Sequence, residues 1–164
     1  MENQVNALFN CQEMFRHACA FSECADMARE KFRHETADIS WYTTPSIVNS
    51  AFACEIFLKA LLLYHDVIIN KEHNLKSLFE MLPERVREYI ISTVKYNTGR
   101  QWESVWGFDP VERISNAFVE WRYCYEYHHH MEMDISFLEA FRNALRNSCS
   151  QLFFGETWEE YKLN

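Results

Sequence analysis

The chain has 164 residues, 48% of them hydrophobic and 24% charged, with only three glycines and three prolines. That length suits one domain with a sizeable core, the scarcity of turn formers argues against an all-β fold, and the apolar fraction excludes disorder for most of the chain. Sixteen basic against 24 acidic side chains leave a formal charge of −8, which excludes a general nucleic-acid coat but leaves room for a local pocket for one phosphate.

The first ten residues carry neither a basic stretch nor an apolar run, so no leader is expected. The longest apolar block, Ala60-Leu61-Leu62-Leu63-Tyr64, falls far short of the roughly 18 to 20 residues that cross a bilayer, and the expected location is cytoplasmic, with no membrane contact. Cys11, Cys19, Cys24, Cys54, Cys124 and Cys149 form no C-x-x-C pair, so they are read as reduced, mostly buried small hydrophobes rather than zinc ligands.

Helical periodicity governs the chain from end to end. A long first helix is expected from about Val5 to Arg33, with Leu8, Cys11, Phe15, Ala18, Ser22 and Ala25 along one face. That stripe of small residues predicts close packing against a neighbouring helix. Thr44-Pro45 reads as a helix start with the threonine as N-cap, followed by a seam of Ile47, Ala51, Cys54, Leu58, Leu61 and His65. Asn74 is placed to cap a short helix bearing Leu75, Leu78, Phe79 and Leu82, and Pro83 opens another from about Glu84 to Tyr96, ended by Asn97-Thr98-Gly99.

Between Gly99 and Pro110 lies an irregular stretch with Trp102, Trp106 and Phe108, read as packing back on the bundle, with base stacking or a partner surface as the alternatives. A fifth helix is expected from about Val111 to Glu126, on Val111, Ile114, Phe118, Trp121 and Tyr125. Asp134 caps a sixth, whose inward face is Leu138, Phe141, Leu145, Ser148 and Leu152 and whose stop is Gly155. The expected product is one all-α bundle of five or six helices over residues 1–155, followed by a polar C-terminal tail over 156–164.

Chemistry concentrates in Trp121-Arg122-Tyr123-Cys124-Tyr125-Glu126-Tyr127-His128-His129-His130. A histidine titrates near neutrality and can take the proton of a ribose 2′-hydroxyl or supply one to a leaving 5′-oxygen, while a guanidinium grips a phosphate bidentately. At about 100° per residue Glu126 lies about 40° and His129 about 20° from Arg122 around an unbroken helix, whereas His128 points about 120° away. His128 therefore approaches Arg122 only where the helix ends and the chain bends. The alternative for Arg122 is an i,i+4 ion pair with Glu126, and for the histidines a solvated loop tip. Glu126-x-x-His129 also matches half of a di-iron site, but no second E-x-x-H occurs, so no metal and no cofactor is expected. Glu55 and Lys59, four apart, read as an intrahelical pair or as groups lining a cleft. His73, just before the Asn74 cap, reads as a local hydrogen-bonding residue or a catalytic one.

Arg122-x5-His128 resembles the R-x(4–6)-H pattern of the HEPN family of small all-helical proteins. Ala53-Cys54-Glu55-Ile56-Phe57-Leu58-Lys59-Ala60-Leu61 is similar to that family's A-x-E-x-x-L-K-A-L helix, His73-Asn74-Leu75 with Leu78-Phe79 to its H-x-L-x-x-L-F segment, and Phe118-x-x-Trp121-Arg122-Tyr123-x-Tyr125-Glu126 to one of its helices. The resemblance spans roughly residues 44 to 150. It implies a helical bundle, commonly a homodimer, whose active members are metal-independent ribonucleases serving as toxins or in antiphage defence, sometimes paired with an antitoxin.

Carried onto this chain, the resemblance implies that Arg122 holds the scissile phosphate, His128 is the general acid/base with His129 as deputy, and Glu126 orients one of them. Tyr123, Tyr125 and Lys59 are the candidate substrate contacts. The other class of function is a non-catalytic module that binds a nucleotide, RNA or a partner enzyme such as a nucleotidyltransferase.

Overall fold

The computed structural model describes residues 2–34, 41–98, 109–126 and 133–163, and among them it is all helical with no strand. In chain order the elements are α1 (Glu2–His34), α2 (Thr43–Tyr64), α3 (Leu75–Glu80), α4 (Glu84–Thr98), α5 (Pro110–Ile114), α6 (Ala117–Arg122), a 3-10 turn η1 (Cys124–Glu126), α7 (Ile135–Phe154) and α8 (Trp158–Tyr161).

α2 is the central element. Small residues let α1 approach it closely and antiparallel: the Cys11 thiol donates to the Ala60 carbonyl at 3.5 Å, Phe15 meets Phe57 with ring centroids 5.9 Å apart, and Phe21 meets Phe52 at 4.6 Å. α7 runs parallel to α2, where the Cys149 thiol reaches the Phe57 carbonyl at 3.6 Å. The three stripes are buried as their spacing predicts, except that Leu8 at the start of α1 is exposed and His65 and Leu152, at the ends of the other two, are half-buried. α2 is also long and apolar enough to cross a membrane by length and composition, and 67% of its most apolar window is buried inside the bundle.

Two networks tie the three long helices together. Phe15, wholly buried, sits among five rings, those of Phe57, Phe153, Phe154, Trp158 and Tyr161, at centroid distances of 5.3–6.4 Å. At the other end of the seam Arg142, 2% exposed, donates to Ser50 Oγ at 2.9 Å and to the Ser22 carbonyl at 3.3 Å, and pairs with Asp26. A buried guanidinium is tolerated there because acceptors from α1 and α2 replace its lost water.

Several local expectations are met. Asn74 accepts from the Ser77 amide, Asp134 accepts from the Phe137 amide, and Gly155 takes a left-handed φ of 75° that ends α7. Others are corrected. α2 begins at Thr43 with Tyr42 at its cap and no side-chain capping bond, because the Thr44 hydroxyl turns to the Cys124 thiol, 3.5 Å away. The polar tail folds: Thr157 and Glu160 form a capping box for α8, and Trp158 and Tyr161 pack onto Phe15. The predicted fifth helix is three pieces. Ser115 Oγ bonds back to the Val111 carbonyl at 2.8 Å, and the Ser115 carbonyl accepts the Leu75 amide of α3 at 3.1 Å, so the first piece is spent on anchoring α3.

Candidate functional site

The second break in that segment, between α6 and η1, decides what Arg122 can do. α6 lies along α2 by a stacked Phe52–Phe118 pair, centroids 4.8 Å apart. It ends at Arg122, Tyr123 takes the C-cap, and the chain tightens into η1. An i,i+4 pair of Arg122 with Glu126 needs helix across both, so that geometry is gone. The guanidinium is exposed, and the contacts the described residues give it are with rings: it lies 4.9 Å from the Phe118 centroid and 4.6 Å from that of Tyr123. Ring faces attract the cation without neutralising it. Cation-π contact therefore leaves the N–H fork available to an anion, as a carboxylate partner would not.

Tyr123 is 37% and Tyr125 75% exposed, with their rings 6.4 Å apart, and Glu126 is exposed beside them. The Thr44–Cys124 contact brings the entrance to α2 alongside this turn, and there Trp41 stands 80% exposed. Sequence reasoning did not pick out Trp41. The available signal was its position outside the periodic stripe, directly before a helix start. The candidate histidines His128, His129 and His130 lie outside the described residues, as do Trp102, Trp106 and Phe108. Before the histidines α6 ends at Arg122 and η1 at Glu126, and after them Asp134 caps α7.

Lys59 does not belong to this end. It lies fifteen residues beyond Thr44 on α2, ~22 Å along the axis at 1.5 Å per residue. It forms part of a second constellation, in which Glu55 Oε1 accepts Lys59 Nζ at 2.8 Å and stands 2.8 Å from His73 Nδ1. The Glu55–Lys59 pair is the intrahelical one its spacing predicts. The His73 contact crosses eighteen residues of chain, which periodicity does not reveal. Glu72 fixes the backbone there by accepting the Asn74 amide at 2.7 Å and the His73 amide at 2.8 Å, and these bonds hold its carboxyl below the usual carboxylate range.

Among the described residues no group of three or more His, Cys, Asp or Glu side chains is arranged to hold a metal ion. Four cysteines are buried, Cys24 is exposed and Cys124 is half-buried, all as free thiols. Burial pushes the Cys19 and Cys54 thiols up to about 12, which makes them poor nucleophiles. Comparison of the chain with family models, with curated proteins and with solved structures yields no match.

Proposed function

We propose that the chain is a metal-independent endoribonuclease of HEPN type, in which Arg122 binds the scissile phosphate and His128, with His129 as deputy, moves the protons. The observation that carries this reading is the exposed Arg122 guanidinium, held over the Phe118 and Tyr123 rings where α6 ends. In this reaction the histidine accepts the proton of the 2′-hydroxyl as that oxygen attacks phosphorus, the P–O5′ bond breaks, and a proton passes to the departing 5′-oxygen. The products are a 2′,3′-cyclic phosphate and a 5′-hydroxyl, and Arg122 stabilises the charge that gathers on the non-bridging oxygens.

Exposed Trp41 and Tyr125 offer stacking faces for unpaired bases. A homodimer, with two arginines and their histidines lining one groove, and a role as a toxin or in antiphage defence belong to the same proposal. The test is end-group analysis of RNA cut by the purified protein and by its Arg122→Ala, His128→Ala and His129→Ala variants. Cyclic-phosphate ends that vanish with Arg122 and one of the histidines are expected. RNA that is bound and left intact at every protein concentration supports the non-catalytic module instead.

A further inference from the structure

Cleavage of RNA through a cyclic phosphate moves two protons on opposite sides of phosphorus, because the attacking 2′-oxygen and the departing 5′-oxygen lie roughly in line. A histidine that takes the first proton starts neutral and stands on the attacking side, so a second group is needed to protonate the leaving oxygen. His73 has the features of such a group. Its imidazole is held at one nitrogen and open at the other. Glu55, 3% exposed, accepts Lys59 Nζ at 2.8 Å on Oε1, and the same oxygen stands 2.8 Å from His73 Nδ1, while Oε2 is buried with no hydrogen-bond partner. A carboxylate accepting at Nδ1 fixes the ring and leaves Nε2 as the nitrogen that exchanges its proton. The His73 side chain is 60% exposed, and no described residue hydrogen-bonds its Nε2. The imidazole is not needed to shape the chain there, because Glu72 Oε1 already accepts the His73 and Asn74 amides and Asn74 caps α3.

The same two elements, α2 and α6, place His73 and Arg122. The Arg122 side chain turns back along α6, so that its guanidinium lies 4.9 Å from the centroid of Phe118, one turn earlier, and Phe118 stacks on Phe52 at 4.8 Å. The guanidinium is therefore level with Phe52 on α2 rather than with Thr44. Glu55 follows Phe52 at the i,i+3 position, where Cβ atoms are about 5–6 Å apart, whereas Lys59 is a further turn away. A second tie runs through the neighbour of His73: Asn74 Nδ2 donates to Asn116 Oδ1 at 3.0 Å, and Asn116 is the N-cap of α6. Only two residues, ~3 Å of rise, separate Asn116 from the level of Phe118 and the guanidinium. His73 and the Arg122 guanidinium thus meet α6 at its first turn, on the flank of α2 that carries Phe52 and Glu55.

We propose that His73, positioned by Glu55, is the general acid of the Arg122 site. Its Nε2 gives a proton to the 5′-oxygen as the P–O5′ bond breaks, while His128 accepts the proton of the 2′-hydroxyl as that oxygen bonds to phosphorus. Water then carries the proton from His128 back to His73, and the cycle balances. The nucleotide on the 3′ side of the cut, which owns the departing oxygen, would lie at the His73 end of α6. The assignment rests on the nuclease reading and adds a residue to it.

Rates are measured in excess EDTA on an unstructured RNA and on the same RNA with sulfur in place of the 5′-oxygen at one linkage. A thiolate leaves without needing a proton, so the second substrate bypasses the general acid. His73→Gln should cut the ordinary linkage roughly 10²–10³-fold more slowly than the wild type and the sulfur linkage within about threefold of it. Glu55→Gln should lose about 10–100-fold on the ordinary linkage with the same rescue. Arg122→Ala and His128→Ala should be slow on both linkages. Each variant is compared with itself on two substrates, so a general loss of structure lowers both rates and cannot imitate rescue, and circular dichroism confirms the fold. Wild-type rates in His73→Gln, equal losses on both linkages in that folded variant, or rescue in His128→Ala instead would overturn the assignment. With Arg122→Ala still defective, those results leave the nuclease reading standing, whereas RNA left intact by the wild type removes both.

Discussion

Phe15 and Phe9 offer a controlled experiment on one helix. They are the same residue type six positions apart on α1, and rotation by about 100° per residue puts them on different faces. Phe15 is wholly buried among five rings, while Phe9 is 58% exposed. Truncating a buried phenylalanine to alanine costs roughly 3–5 kcal/mol, part from lost transfer and part from the cavity left behind. Every ring around Phe15 loses a face at once, and two of them, Trp158 and Tyr161, are what hold α8 to the bundle. A loss of about 4 kcal/mol is expected for Phe15→Ala, against less than about 0.5 kcal/mol for Phe9→Ala.

Urea unfolding followed by far-ultraviolet circular dichroism measures both. With a slope of about 2 kcal/mol per molar for a domain of this size, Phe15→Ala should lower the midpoint by about 2 M and Phe9→Ala by no more than about 0.25 M. Tryptophan emission should also shift to the red before global unfolding, as Trp158 becomes solvated. A loss below about 1 kcal/mol for Phe15→Ala, or equal losses for the two variants, would refute the packing account.

Other outcomes follow from the thiols and from one histidine. Iodoacetamide at pH 8 should label exposed Cys24 quickly and leave Cys54 and Cys149 unlabelled until urea unfolds the chain, because burial raises both thiols far above that pH. Native labelling of Cys54 at the rate of Cys24 contradicts that burial. His65, at the end of α2, has its pKa lowered by burial, against a smaller opposing pull from Asp66, and its Nε2 is buried without a hydrogen-bond partner. The unfolded chain therefore takes up this proton more readily than the folded one. Stability is present above the ordinary histidine range near 6.5 and is lost as pH falls through it. Melting temperatures should drop between pH 7.5 and 5.5, and His65→Asn should flatten the slope; an unchanged slope in that variant removes His65 as the cause.

What the sequence made legible was local. The caps at Asn74 and Asp134, the stop at Gly155 and the buried stripes of α1, α2 and α7 all follow from spacing and from the chemistry of neighbouring backbone groups. The Glu55–Lys59 pair was legible for the same reason. What escaped depended on contacts between distant segments. Apolar spacing runs straight through Ser115 and Asn116, but the Ser115 carbonyl is taken by Leu75 and the Asn116 side chain by Asn74, so the helix breaks there. The tail looked polar by composition, yet two of its aromatic side chains find Phe15. Thr44 looked like a cap because nothing in its neighbourhood announced Cys124, eighty residues away. At the candidate site, Arg122 was legible as a candidate residue, while its separation from Glu126 came only from the observed end of α6.

The central claim is that Arg122 serves a metal-independent cleavage, and one measurement bears on it most directly: the rate at which wild-type and Arg122→Ala proteins cut unstructured RNA in excess EDTA. The account predicts chelator-resistant cleavage by the wild type and a loss of roughly 10²–10³-fold in the variant, the range for removing a group that stabilises transition-state charge. Cleavage abolished by EDTA, or equal rates for the two proteins, would contradict it.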